Sequence, residues 1–130
     1  RRARTGGRAH HRLERLFSLT NESLRALVGV HIINLSQNHR IGNEGVEALV
    51  GVHTIDLSYC PYVDDNGVKA LASGNTINLA RVIDSQDIGD EGVSALAGAH
   101  TVNLTCSDRL TDAGLTCLAG VHTVHLSFCE

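Results

Sequence analysis

The sequence predicts an α/β solenoid in which one parallel strand and one short helix make up each 22-residue turn, and three observations lead there. A ten-residue stretch recurs: "GVHTIDLSYC" at 51–60 returns as "GVHTVHLSFC" at 120–129, and more loosely as "GVHIINLSQN" at 29–38 and "GAHTVNLTCS" at 98–107. Aligned on their last leucines, Leu35, Leu57, Leu79, Leu104 and Leu126, the copies stand 22, 22, 25 and 22 residues apart. The chain is 42% hydrophobic but only 3% aromatic, without Met or Trp, so Leu, Val, Ile and Ala must fill its core. Such a core suits thin layers, each too small to bury its own apolar face and stable only when stacked on its neighbours.

The N-terminal residues stand apart. Residues 1–15 hold six Arg and one Glu, a charge of +5, while residues 16–130 hold five Lys/Arg against thirteen Asp/Glu, a charge of −8. Residues 1–12, "RRARTGGRAHHR", show no apolar period and read as a disordered basic arm. Arginines without interleaved aromatics do not amount to a nucleic-acid site, and the alternative for the arm is a polyanion-binding or targeting role. The solenoid is expected over 13–130. In "HRLERLF", Leu13, Leu16 and Phe17 fall on one helical face and suggest a capping helix. A half-repeat follows at 19–29, then repeats at 30–51, 52–73, 74–98 and 99–120, and a truncated one at 121–130.

Within a repeat two rhythms follow each other. Ile55 and Leu57 alternate with Thr54, Asp56 and Ser58, which places the apolar pair on one side of a strand. Five strands are expected, centred near residues 33, 55, 77, 102 and 124, each but the last followed by a short helix. Val63, Val68 and Leu71, and their equivalents, then recur at spacings of five and three, as in a turn leading into that helix. Asn43, Asp65, Asp90 and Asp112 stand at its start, placed to accept its first free N–H groups, and Gly51, Gly98 and Gly120 at its end. A small column, Ala26, Ala48, Ala70, Ala95 and Cys117, implies close packing of layers. Gly45, Gly67, Gly92 and Gly114 imply a close backbone approach or a conformation that a side chain would hinder.

The run Val52-x-x-Ile55-x-Leu57-x-x-Cys60-x-x-Val63 resembles the leucine-rich repeat, and the likeness covers residues 19–130. The halves "IGNEGVEALVG", "IGDEGVSALAG" and "LTDAGLTCLAG" are similar to the helical halves of ribonuclease-inhibitor-like and cysteine-containing repeats, the latter common in F-box ubiquitin-ligase receptors. The resemblance implies a curved solenoid with a parallel sheet on its concave face and a role in binding proteins. Cys60 and Cys129 fill the family's Asn/Cys position, whereas Asn38 and Ser107 hold it in other turns and Cys106 sits one residue early.

Little here points to chemistry. The four cysteines include no C-x-x-C pair and no His/Cys cluster at ligand spacing, so no metal, cofactor or disulfide is expected. Cys60 and Cys129 lie three turns apart, too far to bridge, and reduced thiols favour a cytoplasmic or otherwise intracellular protein. Asn21, Asn34 and Asn103 open N-x-S/T triplets, which read as chance because two lie within strands and one within a helix. No apolar run approaches the roughly 20 residues of a membrane span. Ser, His and Asp are too abundant for any one triad to carry weight, and no enzyme is expected. His31, His53, His100 and His122 share a column, with Asn75 in the remaining turn: a ladder that could respond to pH or simply hydrogen-bond at the start of each strand.

The function expected is a protein-interaction module with an unidentified protein partner; the alternatives are the substrate-reading part of an F-box-type receptor and a structural spacer. The absence of Met, and an end at Glu130 a few residues into a repeat, read as a piece of a larger protein. Its last strand, in "HTVHLSF", would leave an open edge prone to self-association. Binding is expected where the repeats differ. Two sheet columns are nearly uniform, Ile32/Thr54/Thr76/Thr101/Thr123 and Asn34/Asp56/Asn78/Asn103/His125, as cross-strand ladders require. The column two residues after the last leucine is not: Gln37, Tyr59, Arg81, Cys106 and Phe128. With Tyr62 and the three-residue insertion of the third repeat near "ARVIDSQD", this singles out Tyr59, Tyr62, Arg81 and Asp84 as partner-binding residues.

Overall fold

The computed structural model describes residues 12–13, 19–80, 88–105 and 109–126. Six strands lie in chain order in one parallel sheet: β1 (Arg12–Leu13), β2 (Ile32–Asn34), β3 (Thr54–Asp56), β4 (Thr76–Asn78), β5 (Thr101–Asn103) and β6 (Thr123–His125). Short helices alternate with them: α1 (Asn21–Arg25), α2 (Asn43–Glu47), α3 (Asp65–Lys69), α4 (Asp90–Ser94) and α5 (Asp112–Cys117). The strands expected around residues 33, 55, 77, 102 and 124 are all present, and the columns read from the repeat are the pairing register. Ile32, Thr54, Thr76, Thr101 and Thr123 stand abreast, and beside them Ile33, Ile55, Ile77, Val102 and Val124.

One expectation fails. At residues 12–13, expected at the start of a capping helix, Arg12 instead pairs with Ile32 and Leu13 with Ile33, adding a strand ahead of β2. A strand here satisfies backbone groups that β2 would otherwise leave open at the sheet's edge, and a helix would not. Leu16 and Phe17, and the basic arm up to residue 11, lie outside the described residues.

From β2 to β5 each coil buries the middle residue of its strand and the leucine that follows: Ile33, Ile55 and Ile77 are 1% exposed, and Leu35, Leu57, Leu79 and Leu104 are 0%. The helix contributes a valine, Val46, Val68 or Val93, to the same continuous core. Burying such side chains yields about 1.5–3 kcal/mol each, which strands of three residues need. Asn38 and Cys60 then plug the turn leaving the strand, both donating to the Leu35 carbonyl: Asn38 Nδ2 at 3.0 Å from its own coil, Cys60 Sγ at 3.0 Å from the next. The shared Asn/Cys position is thus a donor into a buried turn.

The column Asn34, Asp56, Asn78 and Asn103 is uniform for a reason more local than cross-strand pairing. Each side-chain Oδ1 accepts the backbone N–H two residues on, at 3.0, 2.9, 2.9 and 3.0 Å, closing the chain into its turn. In β6 the position is His125, which has no such oxygen.

The residues at the helix starts bind across coils rather than within their own. Asn21, first residue of α1, accepts the N–H groups of Gly42 and Gly45 at 2.9 and 3.0 Å, where α2 begins. Asn43 accepts from Asp64 N (2.9 Å), Asp65 from Gly89 N (2.8 Å) and Asp90 from Thr111 N (2.9 Å) and Thr111 Oγ1. Each helix from α2 to α5 therefore has its N-terminus held by the preceding coil, which explains how Gly42 and Gly89 serve as N-cap residues without a capping side chain. The same contact explains the glycine column. A Cβ on Gly45, Gly67, Gly92 or Gly114 would come within 3.0 Å of the Oδ1 of Asn21, Asn43, Asp65 or Asp90. At the other end the helices close on Ala26, Ala48, Ala70 and Ala95, not on the expected glycines; three residues later Gly29 and Gly51 adopt φ +95° and +94° before the next strand, whereas Gly98 and Gly120 do not.

Candidate functional site

The turn at the C-terminal end of each strand is where the repeats stop agreeing. In the first two full coils it is a four-residue turn closed by Asn38 N to Leu35 O (3.3 Å) and Cys60 N to Leu57 O (3.2 Å). Its third residue is left-handed, as in type II turns, where glycine is usual; here it is Gln37 at φ 67° and Tyr59 at φ 62°. Holding a tyrosine in that conformation costs on the order of 1 kcal/mol. The backbone is held from the neighbouring coil, with Gln37 N donating to Ser58 O and Tyr59 N to Ala80 O. Tyr59 remains 45% exposed.

Three residues on, past Pro61, Tyr62 is 66% exposed, and its backbone bridges to Gly42 just before α2. Tyr59 stands in the turn at the rim where β3 ends, and Tyr62 three residues further on, in the segment leading to α3. Arg81 and Asp84, expected beside them, lie outside the described residues. Two rim residues escaped the sequence reading: Arg40 and Arg109, both exposed, one coil before and two coils after Tyr62 at its repeat position. The bridges Gly42↔Tyr62 and Gly89↔Arg109 fix that alignment, and lining up the residue two before each helix N-cap would have found it.

Behind the rim, Asp64, Asp65, Asn66, Glu91 and Arg109 line an open polar cleft. Its carboxylates are committed to structure. Asp64 accepts from Asn66 N (2.9 Å) and Asn43 Nδ2 (2.5 Å), Asp65 caps α4, and Glu91 pairs with Lys69 at 2.9 Å. No nucleophile with an adjacent base stands there among the described residues. Nor, among the described residues, do three or more His, Cys, Asp or Glu side chains gather as a metal site would require, and no described helix is long and apolar enough to cross a membrane.

On the opposite flank, where the strands begin, the histidine column forms two stacked pairs rather than one ladder. His31 and His53 lie with ring centroids 4.5 Å apart, and His100 and His122 4.4 Å apart, with Asn75 between the pairs. Nδ1 of His53, His100 and His122 is hydrogen-bonded to the Oγ1 of the following threonine at 2.8–2.9 Å, so these rings are fixed locally. Cys60 is fully buried, and burial pushes its thiol up to about 11 despite the amides of Asn38 and Gln37, which favour the thiolate. It is a packing and hydrogen-bonding group, unreactive at neutral pH. Cys117, exposed on α5, is free as well.

A family model for the leucine rich repeat matches residues 30–50, 52–72 and 85–97. No curated protein matches the chain. The chain thus carries leucine-rich repeats, whose strand-and-helix coil continues to residue 126. Such repeats are generally protein-interaction modules and typically not enzymes. The match is to the repeat family at large and does not separate the ribonuclease-inhibitor-like and cysteine-containing subtypes.

Proposed function

We propose that the chain is a non-enzymatic protein-interaction module that works inside the cell, binding its partner through the strand-exit rim with Tyr59, Tyr62, Arg81 and Asp84 as contacts. Tyr59 carries the reading. It is a bulky aromatic side chain at a left-handed turn position, 45% exposed, in the column where the repeats differ most. Tyrosine and arginine offer large contact area with a polar handle, which is why they anchor interfaces. The buried reduced thiol of Cys60, held by the Leu35 carbonyl, supports an intracellular setting.

A photoreactive side chain placed at Tyr62 should capture a partner that the same group at Glu47, on the helical side, does not. With that partner titrated, Tyr59→Ala and Arg81→Ala should each weaken binding by more than about 1 kcal/mol, roughly five-fold. Thr76→Ser, in the regular column of the sheet, should leave affinity where it is. The reverse ranking would show that the partner reads the regular ladder instead of the rim.

A further inference from the structure

On the strand-entry flank, away from the strand-exit rim, His100 and His122 take no part in the core or in the helix caps. They hold the same position in adjacent coils, 22 residues apart, each just ahead of a threonine, and those threonines, Thr101 and Thr123, pair in register. Their rings stack with centroids 4.4 Å apart and planes 13° from parallel. Nδ1 of each ring is hydrogen-bonded to Oγ1 of its own threonine at 2.9 Å, so both rings are held the same way round. With the hydroxyl accepting, Nδ1 carries the proton and Nε2 keeps its lone pair. Both residues are exposed, and among the described residues no hydrogen bond engages either Nε2. In the other stacked pair only His53 is anchored in this way, because His31 is followed by Ile32.

We propose that His100 and His122 form a two-imidazole site for a divalent ion of the late first transition row, Zn2+, Ni2+ or Cu2+, which clips their two coils together. Imidazole nitrogen suits these ions, whereas Mg2+ and Ca2+ take oxygen. Two nitrogens bound to one such ion, each about 2.0–2.1 Å from it, stand roughly 3–3.5 Å apart. Because the two rings are anchored alike, their Nε2 atoms stand near the 4.4 Å of the centroids. Closing the remaining distance, about 1 Å, takes a small rotation about the broad ring torsion of an exposed histidine. The bonds from Nδ1 to threonine are the outer-shell support that fixes tautomer and ring orientation in metal-ligating histidines. A closed metal site needs three or more protein ligands; at a surface, water fills the remaining positions and two suffice for a clip. The folded chain sets side by side two histidines that lie 22 residues apart in sequence, so the ion binds the folded form preferentially and stabilises it.

Zn2+ titration of the full chain at neutral pH, followed by the imidazole proton resonances, reads each histidine separately. The His100 and His122 signals should move together on one saturating curve, and the unfolding midpoint should rise with Zn2+, while Mg2+ does neither. Asparagine already stands in this column at residue 75, its Oδ1 bonded to Thr76 Oγ1 at 3.0 Å, so His100→Asn and His122→Asn are substitutions a coil accepts. In either variant the remaining histidine should need at least about ten-fold more Zn2+, as a chelate does when one of its two ligands is removed. The proposal is overturned if the two signals follow separate curves, if Zn2+ affinity survives either substitution, or if both signals respond only at the concentration that moves His39, an exposed histidine outside the column.

Discussion

The middle of the solenoid and its last coil are written in nearly the same letters and stand in different surroundings. Ile55 in β3 and Val124 in β6 occupy one column, yet Ile55 is sealed and Val124 is half-buried; Leu57 and Leu126 differ in the same way. Asp65 and Asp90 each secure the helix of the coil that follows, while the Asp112 carboxylate, at the same helical position, has no following helix among the described residues to secure. A residue's contribution is therefore set less by its place within its own coil than by the coil beyond it, as nearest-neighbour stacking requires.

The sharpest way to break this comparison is to delete the same leucine in both places. Leu57→Ala should cost about 2–5 kcal/mol in urea unfolding, and Leu126→Ala less than about half as much, because a cavity is costly only where the surroundings are closed. Equal losses would mean that the last coil is as well packed as the middle. A smaller effect, with a sign that runs against helix propensity, is expected at the glycine column. In an ordinary helix Gly→Ala gains about 1 kcal/mol; Gly92→Ala, facing Asp65, should instead lose about 1–3 kcal/mol by overpacking. Gly98→Ala, with nothing within 4 Å of the added methyl and no positive φ, should leave the unfolding midpoint unchanged.

The smallest effects are those of pH, and they bracket the stable range from both sides. The hydroxyl and amide of Thr111, with the amide of Gly114, hold the Asp90 carboxyl below its ordinary 3.8. The unfolded chain takes up that proton first as acid is added, so the contribution of Asp90 is full at neutral pH and fades as pH falls through 3.8 and below. Cys60 works in the opposite sense. Its thiol is raised by burial from 9.0 to about 11, so the unfolded chain releases the proton first and stability declines as pH climbs across that interval. Melting midpoints across pH should lose part of the acid limb in Asp90→Asn and part of the alkaline limb in Cys60→Ala.

What could be read from the sequence is what the period repeats. Alternation in Ile55 and Leu57 placed the strands and their inward faces, because the buried side of a strand has few other ways to be written. The capping ladder was legible only in part. The Asn/Asp and Gly columns were visible, but a local view assigns a helix-start carboxylate to its own helix, and its partner lies 21 to 24 residues on, at a distance only the stacking of coils makes short. Strand β1 was misread because two residues are too few to show alternation, and Leu13, Leu16 and Phe17 fit a helical face equally well. On the rim, the departure of Tyr59 from the period was plain, whereas its left-handed backbone was not, since nothing about a tyrosine announces φ 62°.

The capping ladder also has a direction. Each helix start from α2 to α5 is held by the coil before it, α3 and α5 in addition to their own caps Asp64 and Thr111, while α1 is capped by Thr20 and Ser23 of its own coil. On a ribosome, where the N-terminal end emerges first, every new coil meets a finished template already offering the acceptor that its helix needs. Unravelling obeys the same polarity: fraying at β6 leaves all upstream caps intact, whereas opening at α1 removes the acceptor of α2, whose own N-cap, Gly42, offers none.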